Sequence, residues 1–122
     1  MTAEESVQFV VKELKTLGFT IPKEKKNPNA NGPDIVAVKD DICTFEVKRA
    51  RRSTRCWKVS KTQRFNDDYV AIVMPSGRVH FEEMSSHKEK CSKDGTRRVT
   101  KLVKLYETAD VVLEPRTEEG VE

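Results

Sequence analysis

The sequence predicts an α/β (α+β) domain: one mixed central sheet flanked by helices. Three observations carry this. A stretch near the N-terminus has helical periodicity, several later stretches have strand composition, and the two kinds are interspersed along the chain. At 122 residues the chain fits a single domain, 1–122, long enough to bury a core without disulfide or metal staples. It has no internal repeat and no linker long enough to divide it.

The first element is a helix over about 3–17. Val7, Val10, Val11, Leu14 and Leu17 fall at i, i+3, i+4, i+7 and i+10, an amphipathic stripe. Thr2 followed by Glu5 has the form of a capping box, and Gly18 is placed to end the helix in a left-handed turn. FTIPKE reads as a short strand whose Pro22 marks an edge or an early end, and KKNPNANGP is turn chemistry throughout. DIVAV and ICTFEVK read as two strands joined by Lys39, Asp40 and Asp41. WKVSKTQRF reads as a short helix, YVAIVM as a buried strand, PSG as a turn and RVHFEEM as its hairpin partner. SSHKEKCSKDG is polar, a short helix or loop. Val99, Leu102, Val103 and Tyr106 have helical spacing but are equally acceptable in a strand. The predicted order is helix, strand, strand, strand, helix, strand, strand.

Hydrophobic residues make up 36% of the chain and charged residues 35%, charge-rich but without low-complexity character. No apolar run approaches a membrane span, and MTAEESVQFV lacks the basic-then-apolar form of a signal peptide. Cys43, Cys56 and Cys91 are an odd number without a CxxC pair, which reads as reduced thiols. These features predict a soluble protein of the reducing cytoplasm with no membrane partner. The net charge is only +3, yet Lys48 to Arg64 holds eight basic residues and no acid. That asymmetry favours a polyanion as partner.

The hairpin poses the main question of the sequence. If Lys39, Asp40 and Asp41 form a three-residue turn, Val38 faces Ile42, Val36 faces Thr44 and Asp34 faces Glu46. The two carboxylates would then lie roughly 4.5–5.5 Å apart at Cβ, and like charges directly opposite on a sheet destabilise it. A two-residue turn would shift the pairing by one and separate them. In the first register a hard divalent cation offsets the repulsion. Lys48, two residues on from Glu46 and on the same face, points to the same place. An ammonium beside a carboxylate-held cation can orient a water or stabilise charge on a phosphate, the constellation for phosphodiester hydrolysis. Glu-x-Lys alone carries no weight, since it occurs three times: Glu13-Leu14-Lys15, Glu24-Lys25-Lys26 and Glu46-Val47-Lys48. Only the third follows an apolar strand, has Pro33-Asp34 across a hairpin and runs into an arginine-rich segment.

On Pro33-Asp34, Glu46-Val47-Lys48 and the helix ending in GF, the chain resembles the PD-(D/E)xK nuclease superfamily, the restriction-endonuclease-like fold. It is most similar there to Holliday-junction resolvases and small phage or archaeal nucleases. The resemblance covers about 3–83, implies an αβββαβ core and leaves 84–122 as an unassigned extension. It implies that Asp34 and Glu46 hold Mg²⁺ or Mn²⁺ together with the backbone carbonyl of Val47, and that Lys48 assists the attacking water. Resolvases carry a further glutamate on the first helix at the position that is Val7 here; Glu4, one turn earlier on nearly the same face, is the candidate replacement. Gln63 stands where some relatives carry a polar helper.

Arg49, Arg51, Arg52, Arg55, Lys58 and Lys61 are the candidates for backbone phosphates of DNA, contacts that confer affinity and salt dependence but no base choice. The expected activity is therefore a metal-dependent deoxyribonuclease selective for branched DNA or ends. A homodimer would suit a duplex spanned symmetrically. The competing reading is a nucleic-acid-binding module on the same fold without catalysis. His87 and Cys91 are four apart on a possible helix, but no second ligand pair accompanies them and zinc is not inferred. Trp57 is expected to be partly core and His80 an ordinary strand residue.

Overall fold

The computed structural model describes residues 2–25, 32–53, 56–59, 66–93 and 97–99. Helix α1 spans Ala3–Thr16. Its start is the capping box: Thr2 N–H donates to Glu5 Oε1 at 2.9 Å, and Glu5 N–H to Thr2 Oγ1 at 3.1 Å. Its end is a Schellman motif. Gly18 takes φ +95°, its N–H donates to the Lys15 carbonyl at 3.0 Å, and Phe19 N–H donates to the Leu14 carbonyl at 3.0 Å. Leu14 and Phe19 are both buried there, while Leu17, which the stripe would have included, is exposed because the helix stops before it.

Six strands lie between α1 and the second helix: β1 Thr20–Glu24, β2 Ile35–Val38, β3 Ile42–Ser53, β4 Cys56–Val59, β5 Tyr69–Val73 and β6 Val79–Glu83. Helix α2, Met84–Lys90, and β7, Arg97–Val99, follow. The seven strands form one mixed sheet, in which β3 pairs antiparallel with β2 and β4 and parallel with β5. β1 pairs with β2, β6 with β5 and β7 with β4, all antiparallel. The β1–β2 register slips between Thr20 and Lys23, where Pro22 withholds an N–H from the ladder.

One face of the sheet is covered by α1. Val7, Val10, Val11 and Leu14 pack there against Ile35, Ala37, Cys43, Ala71 and an aromatic group centred on Phe45. The Phe45 ring lies 5.3 Å from Tyr69, 5.7 Å from Phe81 and 6.4 Å from Phe19. The other face buries Ala50, Val59, Val70, Ile72, Met74 and Met84, with Trp57 against them. YVAIV is buried throughout because both faces are covered, which is why it lacks strand alternation.

Two readings change. Trp57–Val59, expected to open a helix, is strand β4. Val59 pairs with Ala50 and is fully buried, and Trp57 pairs with Arg52, whose guanidinium stands 5.4 Å over the indole. Pairing with the long β3 overrides a weak helical pattern. The rest of that expected helix, 60–65, lies outside the described residues, as do Leu102, Val103 and Tyr106. Met84, read as the end of a strand, instead opens α2 and is buried in the second core.

Candidate functional site

The β2–β3 hairpin has the register of the three-residue turn: Val38 opposite Ile42 and Val36 opposite Thr44. Ile35 opposite Phe45 is the last pair, and Asp34 stands at the mouth of the hairpin. Its side chain takes over where the ladder stops. Asp34 Oδ2 accepts the Val47 N–H at 2.8 Å, and Oδ1 lies 3.5 Å from the Lys25 ammonium. The Asp34 backbone carbonyl accepts the Lys25 N–H at 2.7 Å, continuing the β1–β2 pairing by one residue.

This arrangement explains the Pro-Asp pair. A strand residue directs its N–H and C=O to the same neighbour, so the Val47 carbonyl faces the β2 side together with the N–H that Asp34 holds. The hairpin register, continued two residues, puts Pro33 opposite Val47. Proline has no N–H to give that carbonyl. A carboxylate and a main-chain oxygen thus meet at one strand end.

Glu46 completes the pair. Its carboxyl is pushed up to about 8, first by burial, then by a hydrogen bond with Asp34 and by the Asp34 charge, against a smaller opposing pull from Lys48. Two adjacent acids in a half-buried site cannot both ionise cheaply, so near neutral pH Glu46 keeps its proton and shares it with Asp34. Lys48 follows on the same strand face.

A cleft of about 470 Å³ opens at this point, between the first turns of α1 and the strand ends. Asp34, Val47, Lys48, Arg49 and Lys25 line it, with Glu4 and Val7 on the helix side. Glu4 is on the wall as the sequence suggested. Among the described residues, however, no three His, Cys, Asp or Glu side chains come together as a metal group, so Glu4 does not join the two carboxylates. The donors present are hard oxygens: two carboxylates and a carbonyl. They fit Mg²⁺ or Mn²⁺, which bind through one or two carboxylates and keep several waters. The Lys25 ammonium against Asp34 is the cation that the site already draws in.

The basic residues divide. Arg49, at the cleft, and Arg51 alternate onto one face of β3, where Arg51 pairs with Lys58, and Arg98 holds the register position beyond Lys58. Arg52 belongs to the opposite set and stacks on Trp57. Arg55, Lys61 and Gln63 lie outside the described residues. The sequence reading missed Lys25, which it placed in a loop. Its signal was available: extending FTIPKE as the antiparallel partner of the Pro-Asp strand brings Lys25 beside Asp34.

No family model matches the chain, and no curated protein does. A solved structure of a bacterial homing endonuclease is similar at TM-score 0.63 and 10% identity, covering 92% of this chain and 94% of that one. The two share a fold, a mixed α+β architecture. Among the described residues no helix is long and apolar enough to cross a membrane.

Proposed function

We propose that the protein is a Mg²⁺- or Mn²⁺-dependent deoxyribonuclease of the PD-(D/E)xK type. The observation that carries the reading is the meeting of the Asp34 and Glu46 carboxyls and the Val47 peptide at the hairpin mouth beside Lys48, on a fold shared with an endonuclease. Asp34, Glu46 and the Val47 carbonyl would hold the cation, which when bound supplies charge neutralisation at a phosphate and a more acidic water. Lys48 orients the attacking water and stabilises the charge that gathers on the phosphate oxygens. Lys25, 3.5 Å from Asp34 Oδ1, competes with the cation for that carboxylate.

The basic row supports nucleic acid as substrate. Arg51 and Lys58 stand opposite each other on β3 and β4, and like charges directly opposite destabilise a sheet. A phosphate backbone offsets that repulsion. Because such contacts read no bases, the substrate is selected by its structure, as branched DNA or ends.

The test is cleavage of a four-way junction, a flap, a nicked duplex, a linear duplex and a single strand in Mn²⁺, with Asp34→Asn as control. Metal-dependent cutting by the wild type alone supports the assignment, and the preferred member names the substrate. Binding across the panel with no cutting would overturn catalysis and leave a recognition module.

A further inference from the structure

We propose that Cys91 is a reactive thiol, activated by His87 and Glu82 beneath α2, and that hydroperoxides oxidise it. This site is separate from the cleft and independent of the nuclease reading.

His87 lies in the last turn of α2 and Cys91, four residues on, is its C-cap. That helix packs on the sheet with Met84 and His87 inward, and Glu82, the penultimate residue of β6, meets it from below. Glu82 and His87 are both 0% exposed. His87 Nδ1 stands 3.9 Å from Glu82 Oε1, and His87 Nε2 stands 3.6 Å from Cys91 Sγ. Lys90 Nζ, 3.7 Å from Glu82 Oε2, holds the other carboxylate oxygen.

The two ring nitrogens therefore face different partners. The acid and the thiol lie on opposite sides of the imidazole and cannot reach one metal ion through it. What the line of groups can do is pass a proton. A carboxylate beside Nδ1 favours the tautomer with its proton there, which leaves the Nε2 lone pair toward the thiol. The negative end of α2 opposes a thiolate, but the helix is only seven residues long and its last turn carries His87, Lys88 and Lys90. Access distinguishes Cys91 from Cys43. Cys91 is partly exposed, whereas Cys43 is buried in the α1 core.

The chemistry balances with a hydroperoxide as oxidant. The Cys91 S–H proton moves to His87 Nε2. The thiolate attacks one peroxide oxygen, a sulfur–oxygen bond forms and the oxygen–oxygen bond breaks. The departing hydroxide (or alkoxide) takes the proton back from Nε2 and leaves as water or alcohol. Sulfur loses two electrons to become a sulfenic acid, and the peroxide gains them.

The experiment exposes the full chain near neutral pH to hydrogen peroxide with dimedone, which traps sulfenic acid, and quantifies each cysteine by peptide mass spectrometry. Native Cys91 should label about tenfold faster than Cys91 in the urea-unfolded chain, the scale of gain from a raised thiolate fraction. In His87→Asn the side-chain amide keeps an N–H for Glu82 but removes the base at the thiol, and the rate should fall to the unfolded level. Native labelling no faster than unfolded labelling would overturn the proposal. So would a His87→Asn chain, folded by circular dichroism, that labels as fast as the wild type. If that variant does not fold, the comparison of native with unfolded wild type decides alone.

Discussion

Glu46 and Glu82 stand on the same face of the sheet, with Val70 between them in register. Both are glutamates on buried strands, yet their surroundings are opposite. Glu46 meets another acid, Asp34, and its carboxyl is driven up to about 8. Glu82 meets His87 and Lys90, which can supply charge of the opposite sign. One acid faces a like group, whereas the other faces an imidazole and an ammonium. Burial alone thus says little about what an acid does; the sign of its neighbours decides whether it binds something or holds something in place.

The largest expected effect is at the unbalanced acid pair. Asp34→Asn should lower cleavage at least about a hundredfold, the scale of lost electrostatic stabilisation. DNA binding, measured by electrophoretic shift, should persist. Equal loss of both would mean that the variant misfolds.

Stability should then separate the two glutamates. Glu82→Gln removes the acid between His87 and Lys90 and should destabilise by about 1–3 kcal/mol in urea unfolding. Glu46→Gln should do the reverse above neutral pH. The folded-state value of Glu46 lies above its ordinary 4.5, so between there and about 8 the native state holds a proton that the unfolded state releases. Below pH 6.5 buried His80, lowered to about 4 by burial and then by Arg78, works the other way, because there the unfolded state holds the extra proton. Stability without divalent metal should therefore fall as pH rises from about 6.5 to about 8, with a slope no steeper than about 1.4 kcal/mol per pH unit, and Glu46→Gln should flatten it. Unfolding curves in chelator at several pH values measure this. A wild type that gains stability across the window would reverse the comparison.

Smaller effects sharpen it. Lys25→Met removes the ammonium that competes for Asp34 and should tighten Mn²⁺ binding by about threefold or more in calorimetry, an attraction on the scale of a partly exposed pair. Lys58→Ala should weaken all DNA substrates alike and reduce the salt slope of binding by about 1.

The parts legible in sequence are those set by neighbours along the chain. Thr2, Glu5 and Gly18 announce both ends of α1 because capping acts over three or four residues. Alternation reduced the hairpin to two registers, and the structure takes that of the three-residue turn, which continued by one residue brings Asp34 opposite Glu46. Sequence reading failed where a partner far along the chain decides. Trp57–Val59 became strand because β3 runs on to Ser53 and offers it an edge. Lys25 reached Asp34 because β1 pairs with β2 across a segment that reads as loop.

What the sequence determined by itself is a helix with its caps, a hairpin with an acid on each strand and a segment rich in cations. The tertiary structure decided the electrostatics of those groups. Parallel pairing of β3 with β5 put Val70 between two glutamates, α2 covered one of them with an imidazole, and the first turns of α1 left Asp34, the neighbour of the other, beside an open cleft. The physical reason is range. Caps and registers follow from hydrogen bonds between residues close in sequence, whereas a carboxyl's charge state depends on every group that packing brings within a few ångströms.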